Sequence, residues 1–343
     1  MTGQTTQSGA GAINQQYLLA ARPEGMVKTT DFEYREIPVE PIGEDQALIQ
    51  VTRISLDPSM RGQMENRADY VAPLHIGDVM RAGGTGVVVA SNLDKWPVGT
   101  TVQGSFGMQT HAVVDASSPI AAYDPDLSPE EALGVLGGTG MTAYFGLLRL
   151  GEPKAGDVVV VSGAAGATGS VAGQIAKLKG CTVVGMAGTQ AKCQWLTENL
   201  GFDAAINYRE EDVGARLDEL CPQGINIYFD NVGGDILDLC LARIADNARV
   251  VLCGGISRYN LTGPIPGPKN YFNLVFRRAR MEGFIVLDYA REFPAARAEM
   301  REWMAAGQLQ QSSTVIDGFK ELPNALIALF EGANTGKMMV KVS

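Results

Sequence analysis

The run Val158-Val159-Val160-Val161-Ser162-Gly163-Ala164-Ala165-Gly166-Ala167-Thr168-Gly169 constrains this chain more than any other stretch. Four β-branched residues read as a buried strand. Three glycines at a spacing of three follow at once, and an amphipathic segment runs on from Ser170 to Lys179. Strand, glycine turn and helix in that order make a phosphate cradle, because backbone N–H groups and the positive end of the helix dipole point at an anion. The anion this predicts is the pyrophosphate of a dinucleotide. The glycine spacing alone also fits a plain strand–helix connector. Thr182–Ala187 then reads as the next strand, after a crossover of the length a βαβ unit needs. Ala164 stands where the commoner fingerprint has its first glycine, which asks for a slightly wider turn.

The end of that second strand bears on which dinucleotide. An NAD site needs an acid about 20 residues past the glycines to hold the ribose 2′-hydroxyl. Gly188 lies 19 residues past Gly169, and no acid occurs from Val183 through Gln194. A small residue, a hydroxyl at Thr189 and Lys192 stand there instead. An acid would repel a 2′-phosphate and a lysine attracts it. Taken alone, Lys192 reads as a solvated lysine in a first helical turn; the missing acid turns the reading to NADP(H).

At 343 residues the chain is long enough for two domains. With 45% hydrophobic and 19% charged residues it reads as a globular protein. A net charge of −10 and only one tight basic group, Arg277-Arg278-Ala279-Arg280, argue against nucleic acid as a partner. No apolar run approaches the roughly 20 residues of a membrane span. Thr2 to Gln16 is polar, without the basic start and apolar core of a signal peptide, and residues 1–16 read as a disordered lead-in. These features predict a cytoplasmic protein. The five cysteines, Cys181, Cys193, Cys221, Cys240 and Cys253, are widely spaced and odd in number, so no disulfide framework or metal-ligand spacing is present.

Residues 17–130 carry short alternating segments between turn residues, such as Ala47–Val51, Gly86–Ala90 and Thr101–Gly104, and predict a β-rich domain. Ser128-Pro129-Glu130-Glu131 has the cap, proline and acids of a helix start. Beyond it strands at 158–162, 182–187, 204–206, 226–229, 249–253 and 281–286 alternate with helices, which specifies a doubly wound parallel sheet over residues 131–306. Residues 307–343 hold a helix and a final strand, Lys337 to Val342, read as returning to the first domain.

Six motifs occur in order: Leu56-Asp57-Pro58-Ser59-Met60-Arg61, Gly137-Gly138-Thr139-Gly140-Met141-Thr142-Ala143-Tyr144, the glycine turn, Asp230-Asn231-Val232-Gly233-Gly234, Cys253-Gly254-Gly255-Ile256-Ser257 and Gly336-Lys337. Together they resemble the zinc-independent enone and enal reductases of the medium-chain dehydrogenase/reductase superfamily, the group of prostaglandin reductase (leukotriene B4 12-hydroxydehydrogenase), the plant double-bond reductases and curcumin reductase. The resemblance implies a GroES-like β-rich domain followed by a Rossmann domain, NADPH as hydride donor and a homodimer built through the dinucleotide domains. A zinc alcohol dehydrogenase needs Cys and His ligands with an open fourth position. The N-terminal half contains no cysteine, and His75 and His111 are the only histidines, so no metal site is expected.

Without zinc, the oxygen of a developing enolate needs a hydrogen-bond donor. The resemblance implies that Tyr259 supplies it. It also implies cofactor contacts from Thr142, from Ala165, Gly166, Ala167, Thr168 and Gly169, from Gly188, Lys192 and Tyr208 at the 2′-phosphate, from Asn231, and from Cys253, Gly254, Gly255 and Ser257. Phe284, Ile285 and Val286 match the stretch that touches the nicotinamide, and Asn334 matches a cofactor-contacting asparagine. Tyr208 reads equally as a strand-end aromatic, and 284–286 as a buried strand. At the substrate mouth the resemblance implies Ser59, Met60, Arg61, Tyr70 and Met108. Family members usually carry tyrosine where Ser59 stands, so a wider pocket for bulkier enones is expected.

The leading expectation is therefore NADPH-dependent reduction of a carbon–carbon double bond conjugated to a carbonyl. Quinone reduction within the same superfamily and a non-catalytic dinucleotide-binding role are the alternatives. The expected partner is a small-molecule substrate, with neither nucleic acid nor membrane.

Overall fold

The computed structural model describes residues 11–67 and 71–342. They form two compact units. The first takes the chain up to Leu133 and then Thr314–Ala333 and 338–343; the second takes Gly134–Ser313 and Asn334–Lys337. The first boundary falls between Leu133 and Gly134. The C-terminal stretch departs from expectation: four residues, Asn334–Lys337, leave the first unit and join the second before the chain goes back.

The first unit is β-rich. The strand Gln46–Ser55 is its spine, pairing antiparallel with Gly83–Ser91, His111–Asp115 and Lys337–Lys341. Thr101–Ser105 and Ile120–Ala122 extend the sheet beyond Gly83–Ser91. Inward residues of the spine, Ile49, Val51 and Ile54, are fully buried against Met60, Met64, Met80 and the helix Leu322–Glu331. Burying each such side chain is worth about 1.5–3 kcal/mol. A separate hairpin pairs Ile13–Leu19 with Phe32–Pro38. Its first strand starts at Ile13, so the expected disordered lead-in to residue 16 is too long by four residues: Tyr17, Leu18 and Leu19 are buried, and the ladder extends outward from them. Residues 1–10 lie outside the described part.

The second unit holds six parallel strands in the spatial order Ala204–Asn207, Thr182–Ala187, Val158–Val161, Ile225–Asp230, Ile244–Leu252 and Arg280–Gly283. This is a doubly wound Rossmann sheet. Val159, Val160 and Val161 have no exposed surface, as a central strand covered on both faces requires. The last strand stops at Gly283, so Phe284 and Ile285 lie beyond it and Val286 opens a helical turn. The segment expected to be strand to residue 286 is cut short because its one partner strand stops at Leu252, opposite Gly283.

Candidate functional site: a dinucleotide groove in the second unit

The glycine turn follows its strand as expected. Gly163 takes the left-handed region at φ +58, and the next N–H, that of Ala164, donates to Met186 O at 2.9 Å. The Ala164 methyl is tolerated because position 185 on the neighbouring strand is also glycine: a Cβ there would stand 3.0 Å from it. Gly166 begins the helix Ala167–Leu178 in extended conformation, with no side-chain cap and no acid in the first turn. The helix's first N–H groups are thus left for an anion. A Cβ on Gly169 would stand 2.4 Å from Gly163 O, so only glycine lets helix and turn close this tightly.

The C-terminal excursion docks here. Gly336 N–H donates to Ala165 O at 2.8 Å. Asn334 is buried, and its side chain donates to Gly336 O at 2.7 Å, shaping this turn.

On the far side of the turn a second cluster gathers. Thr189 caps the helix Gln190–Glu198, accepting Lys192 N–H at 3.3 Å. Gly188 lies beneath Tyr208 and Arg209: its missing Cβ would stand 2.6 Å from the Tyr208 hydroxyl and 3.2 Å from Arg209 Nε. Burial, and then the Arg209 charge, holds the Lys192 ammonium below its usual 10.5. Two cations and a hydroxyl gathered about this glycine, with no acid in the first helical turn, are a donor set that fits a phosphate. Sequence reading passed over Arg209; its place directly after Tyr208, at the end of a parallel strand, is the signal that could have found it.

The other wall comes from the ends of two further strands. The Asn231 side-chain amide donates to Ser162 O at 2.7 Å, and its backbone N–H donates to the Ser162 hydroxyl oxygen at 2.9 Å. Cys253 and Gly254 both donate their N–H groups to Asp230 O, and Ser257 binds Val232 O through its hydroxyl at 2.6 Å. Burial pushes the Cys253 thiol up to about 12, with the Asp230 charge adding to it, so the thiol stays protonated. Tyr259 closes the loop: its hydroxyl accepts Gly255 N–H at 3.1 Å. Burial raises its phenol above 10.0, while the Gly255 N–H pulls the other way.

The remaining expected positions are scattered. Thr142 turns its hydroxyl back to Gly138 O at 2.8 Å. Phe284 reaches the backbone of Gly146, where a Cβ would stand 2.6 Å from its ring, and Ile285 and Val286 are half-buried beside it. In the first unit, Ser59 opens the short helix Ser59–Gln63 and is half-buried. Three expected pocket residues are interior instead. Met60 is 3% exposed and Met108 not at all, both within the apolar core. Arg61 is 3% exposed, its guanidinium bound to Pro23 O, Gly25 O and Glu65. Side chains so fully buried present almost no surface to a ligand in this arrangement, so these three are interior rather than pocket-lining. Tyr70 lies outside the described residues.

Two family models match: an N-terminal domain of oxidoreductases over residues 15–121 and a zinc-binding dehydrogenase domain over residues 167–302. YfmJ of Bacillus subtilis, named as an NADP-dependent oxidoreductase, is 42% identical, covering 97% of this chain and 98% of its own. The NADPH-dependent curcumin reductase of Escherichia coli is 38% identical, covering 96% of this chain and 97% of its own. The crystal structure of CurA from Vibrio vulnificus in complex with NADPH superimposes with a TM-score of 0.91 at 39% identity, covering 96% of this chain and 99% of that one. The chain belongs to the zinc-independent medium-chain dehydrogenase/reductases of the curcumin and prostaglandin reductase group.

This enzyme is an NADP-dependent oxidoreductase. The uncapped helix start at Gly166–Gly169 and the Lys192, Tyr208 and Arg209 donors about Gly188 fit the cofactor's pyrophosphate and 2′-phosphate. The name of the second family model notwithstanding, no group of three His, Cys, Asp or Glu among the described residues is arranged to hold a metal ion. No helix among them is long and apolar enough to cross a membrane.

Proposed function

We propose that the enzyme reduces the carbon–carbon double bond of α,β-unsaturated ketones and aldehydes, without a metal. The observation that carries this reading is Tyr259. Its hydroxyl takes the Gly255 N–H as acceptor, which leaves the phenolic proton for another partner. Burial keeps that proton in place at neutral pH. A neutral donor held by backbone is the group needed where charge develops on a carbonyl oxygen.

NADPH supplies a hydride, which in this reading goes to the β-carbon. Electrons of the double bond then move onto the carbonyl oxygen, where the Tyr259 hydroxyl donates a hydrogen bond. A proton from water completes the α-carbon, giving the saturated carbonyl. Ala165 to Gly169 would hold the pyrophosphate through backbone N–H groups, while Lys192, Tyr208 and Arg209 would hold the 2′-phosphate. Asn231, Gly254, Gly255 and Asn334 would shape the groove. Ser59 would stand at the substrate mouth, where a short side chain leaves room for bulkier enones.

The reading extends to assembly and location. The strand Arg280–Gly283 is an open sheet edge, and beside it in sequence Tyr271, Phe272, Val275 and Phe276 are all more than half exposed. Such an apolar edge favours a homodimer through the dinucleotide unit. All five cysteines are unpaired, in keeping with a reducing cytoplasm.

The deciding experiment follows NADPH absorbance with a simple enone, with a quinone, and with neither, alongside metal analysis. Enone-dependent oxidation by a zinc-free protein supports the reading. Turnover of quinone alone transfers the assignment to quinone reduction, no turnover with either leaves a dinucleotide-binding protein, and a full equivalent of zinc overturns the metal-free mechanism.

A further inference from the structure

The strand order of the six-stranded sheet reverses between Val158–Val161 and Ile225–Asp230. Dinucleotides bind outside the carboxyl ends of the strands at such a switch point. Here the chain buries a carboxylate. Asp230 ends its strand at the switch point and is 1% exposed.

Its two oxygens are treated very differently. Oδ1 accepts four hydrogen bonds: from the Ser162 hydroxyl at 3.0 Å, the Tyr228 hydroxyl at 2.7 Å, Val232 N–H at 3.0 Å and Gly233 N–H at 2.9 Å. Oδ2 is buried and has no hydrogen-bond partner among the described residues. A buried carboxylate with one oxygen bare is costly unless something answers its charge. Four neutral donors orient it without supplying a positive charge.

The charge is felt where the groove has been assigned. After burial, Asp230 is the next cause of the raised Cys253 thiol, and it also adds to the raised Tyr259 phenol. Its own carbonyl carries the N–H groups of Cys253 and Gly254. The carboxylate thus lies under the wall of the groove that carries Cys253, Gly254 and Tyr259, and acts on it through a low-dielectric interior.

We propose that Asp230 biases the groove toward the oxidised cofactor, its uncompensated negative charge favouring the nicotinamide ring when that ring is cationic. The reduced ring is neutral; giving up a hydride to the substrate leaves the ring with one positive charge, and the pair of electrons and the hydrogen pass together to the acceptor. A fixed buried anion at the switch point then lowers the cost of that change. The inference rests on the NADP assignment, not on Tyr259 or the enone, so it stands or falls apart from the proposed substrate.

The test is binding, not turnover. Dissociation constants for NADP+ and NADPH are measured by titration calorimetry on the folded parent and on Asp230→Asn, which keeps the shape and removes the charge. The ratio of the NADP+ constant to the NADPH constant is expected to rise about fivefold or more in the variant. A ratio within about twofold of the parent overturns the proposal, since lost shape alone weakens both forms together. Tyr228→Phe provides an independent reading if Asp230→Asn does not fold. It removes one of the four donors and leaves the charge less screened by hydrogen bonding, so the ratio must fall; a ratio that stays or rises overturns the proposal.

Discussion

The hydroxyl of Tyr208 lies 2.6 Å from where a Cβ on Gly188 would stand. The two positions come from neighbouring parallel strands, so the contact is fixed by the Ala204–Asn207 and Thr182–Ala187 register. Glycine at 188 makes the room that the Tyr208 hydroxyl occupies. Gly188→Ala should push the Tyr208 ring, which is 37% exposed, outward. The affinity for NADPH is then expected to fall about tenfold, the scale of one hydrogen bond to a charged group. Gly188→Asp adds like-charge repulsion and should reverse the preference toward NADH. Dissociation constants for NADPH and NADH on each variant check both outcomes.

In the proposed site Lys192 and Arg209 hold one phosphate between them, and that sharing has a pH consequence. Burial first, and the Arg209 charge second, holds the Lys192 ammonium below 10.5. The charged form binds phosphate, so NADPH affinity is complete below the lysine's own pKa and falls as pH rises through it. Arg209→Gln removes the like charge and lets the lysine titrate later. The fall should therefore move to higher pH, while the neutral-pH affinity drops about tenfold through the lost charge-assisted contact. NADH, which lacks the phosphate, should show neither change. Titrations of both cofactors between about pH 7 and about pH 11 decide it.

Arg61 belongs to stability rather than to substrate contact. Its fork holds Pro23 O at 3.0 Å and Gly25 O at 3.2 Å while Glu65 takes the third position at 3.1 Å. Arg61→Ala leaves both carbonyls buried without a donor, and unfolding free energy should drop by about 2–4 kcal/mol. Chemical unfolding of the parent and the variant measures this. A loss confined to substrate KM, with stability unchanged, would return Arg61 to the substrate pocket.

The sequence disclosed the second unit more fully than the first, for a physical reason. Buried parallel strands are continuous apolar runs, and Val158–Val161 is unmistakable as one. Glycines 163, 166 and 169 are equally legible by their spacing, Gly163 taking a left-handed conformation and Gly169 packing against the backbone of Gly163. What stayed hidden depended on tertiary contact. Met60 and Met108 read as surface lining because a methionine near a site and a methionine in the core have the same local pattern. Arg61 gave no sign that its partners would be carbonyls some 36 and 38 positions earlier. Asp230 was legible as part of a motif, yet its role depends on Ser162, which lies 68 residues away on the adjoining strand. Arg209 was missed because a lone arginine after a strand is ordinary until its neighbours are known.

Ser59 offers a test of specificity. It is half-buried at the start of the helix whose next two residues, Met60 and Arg61, are interior. Replacing it changes what projects from that point while the anchors remain. Ser59→Tyr should lower kcat/KM for an aryl-substituted enone about tenfold more than for a small one. Equal effects on both substrates would remove Ser59 from the determination of pocket width.

Tyr259→Phe probes the chemistry most directly. The ring is retained, so packing in the loop after Ile244–Leu252 is preserved, and only the acceptor for Gly255 N–H and the outgoing donor are lost. Loss of one donor to developing charge costs about 100- to 1000-fold in favourable cases. Here water can take part of that role, and kcat for enone reduction is expected to fall about 10- to 100-fold. The NADPH dissociation constant should change little, because the pyrophosphate and 2′-phosphate contacts lie on other strands. Presteady-state measurement of NADPH oxidation separates the two effects. An unchanged rate of that step would take Tyr259 out of the mechanism, and with it the argument that a hydroxyl does here what a metal does in the zinc enzymes.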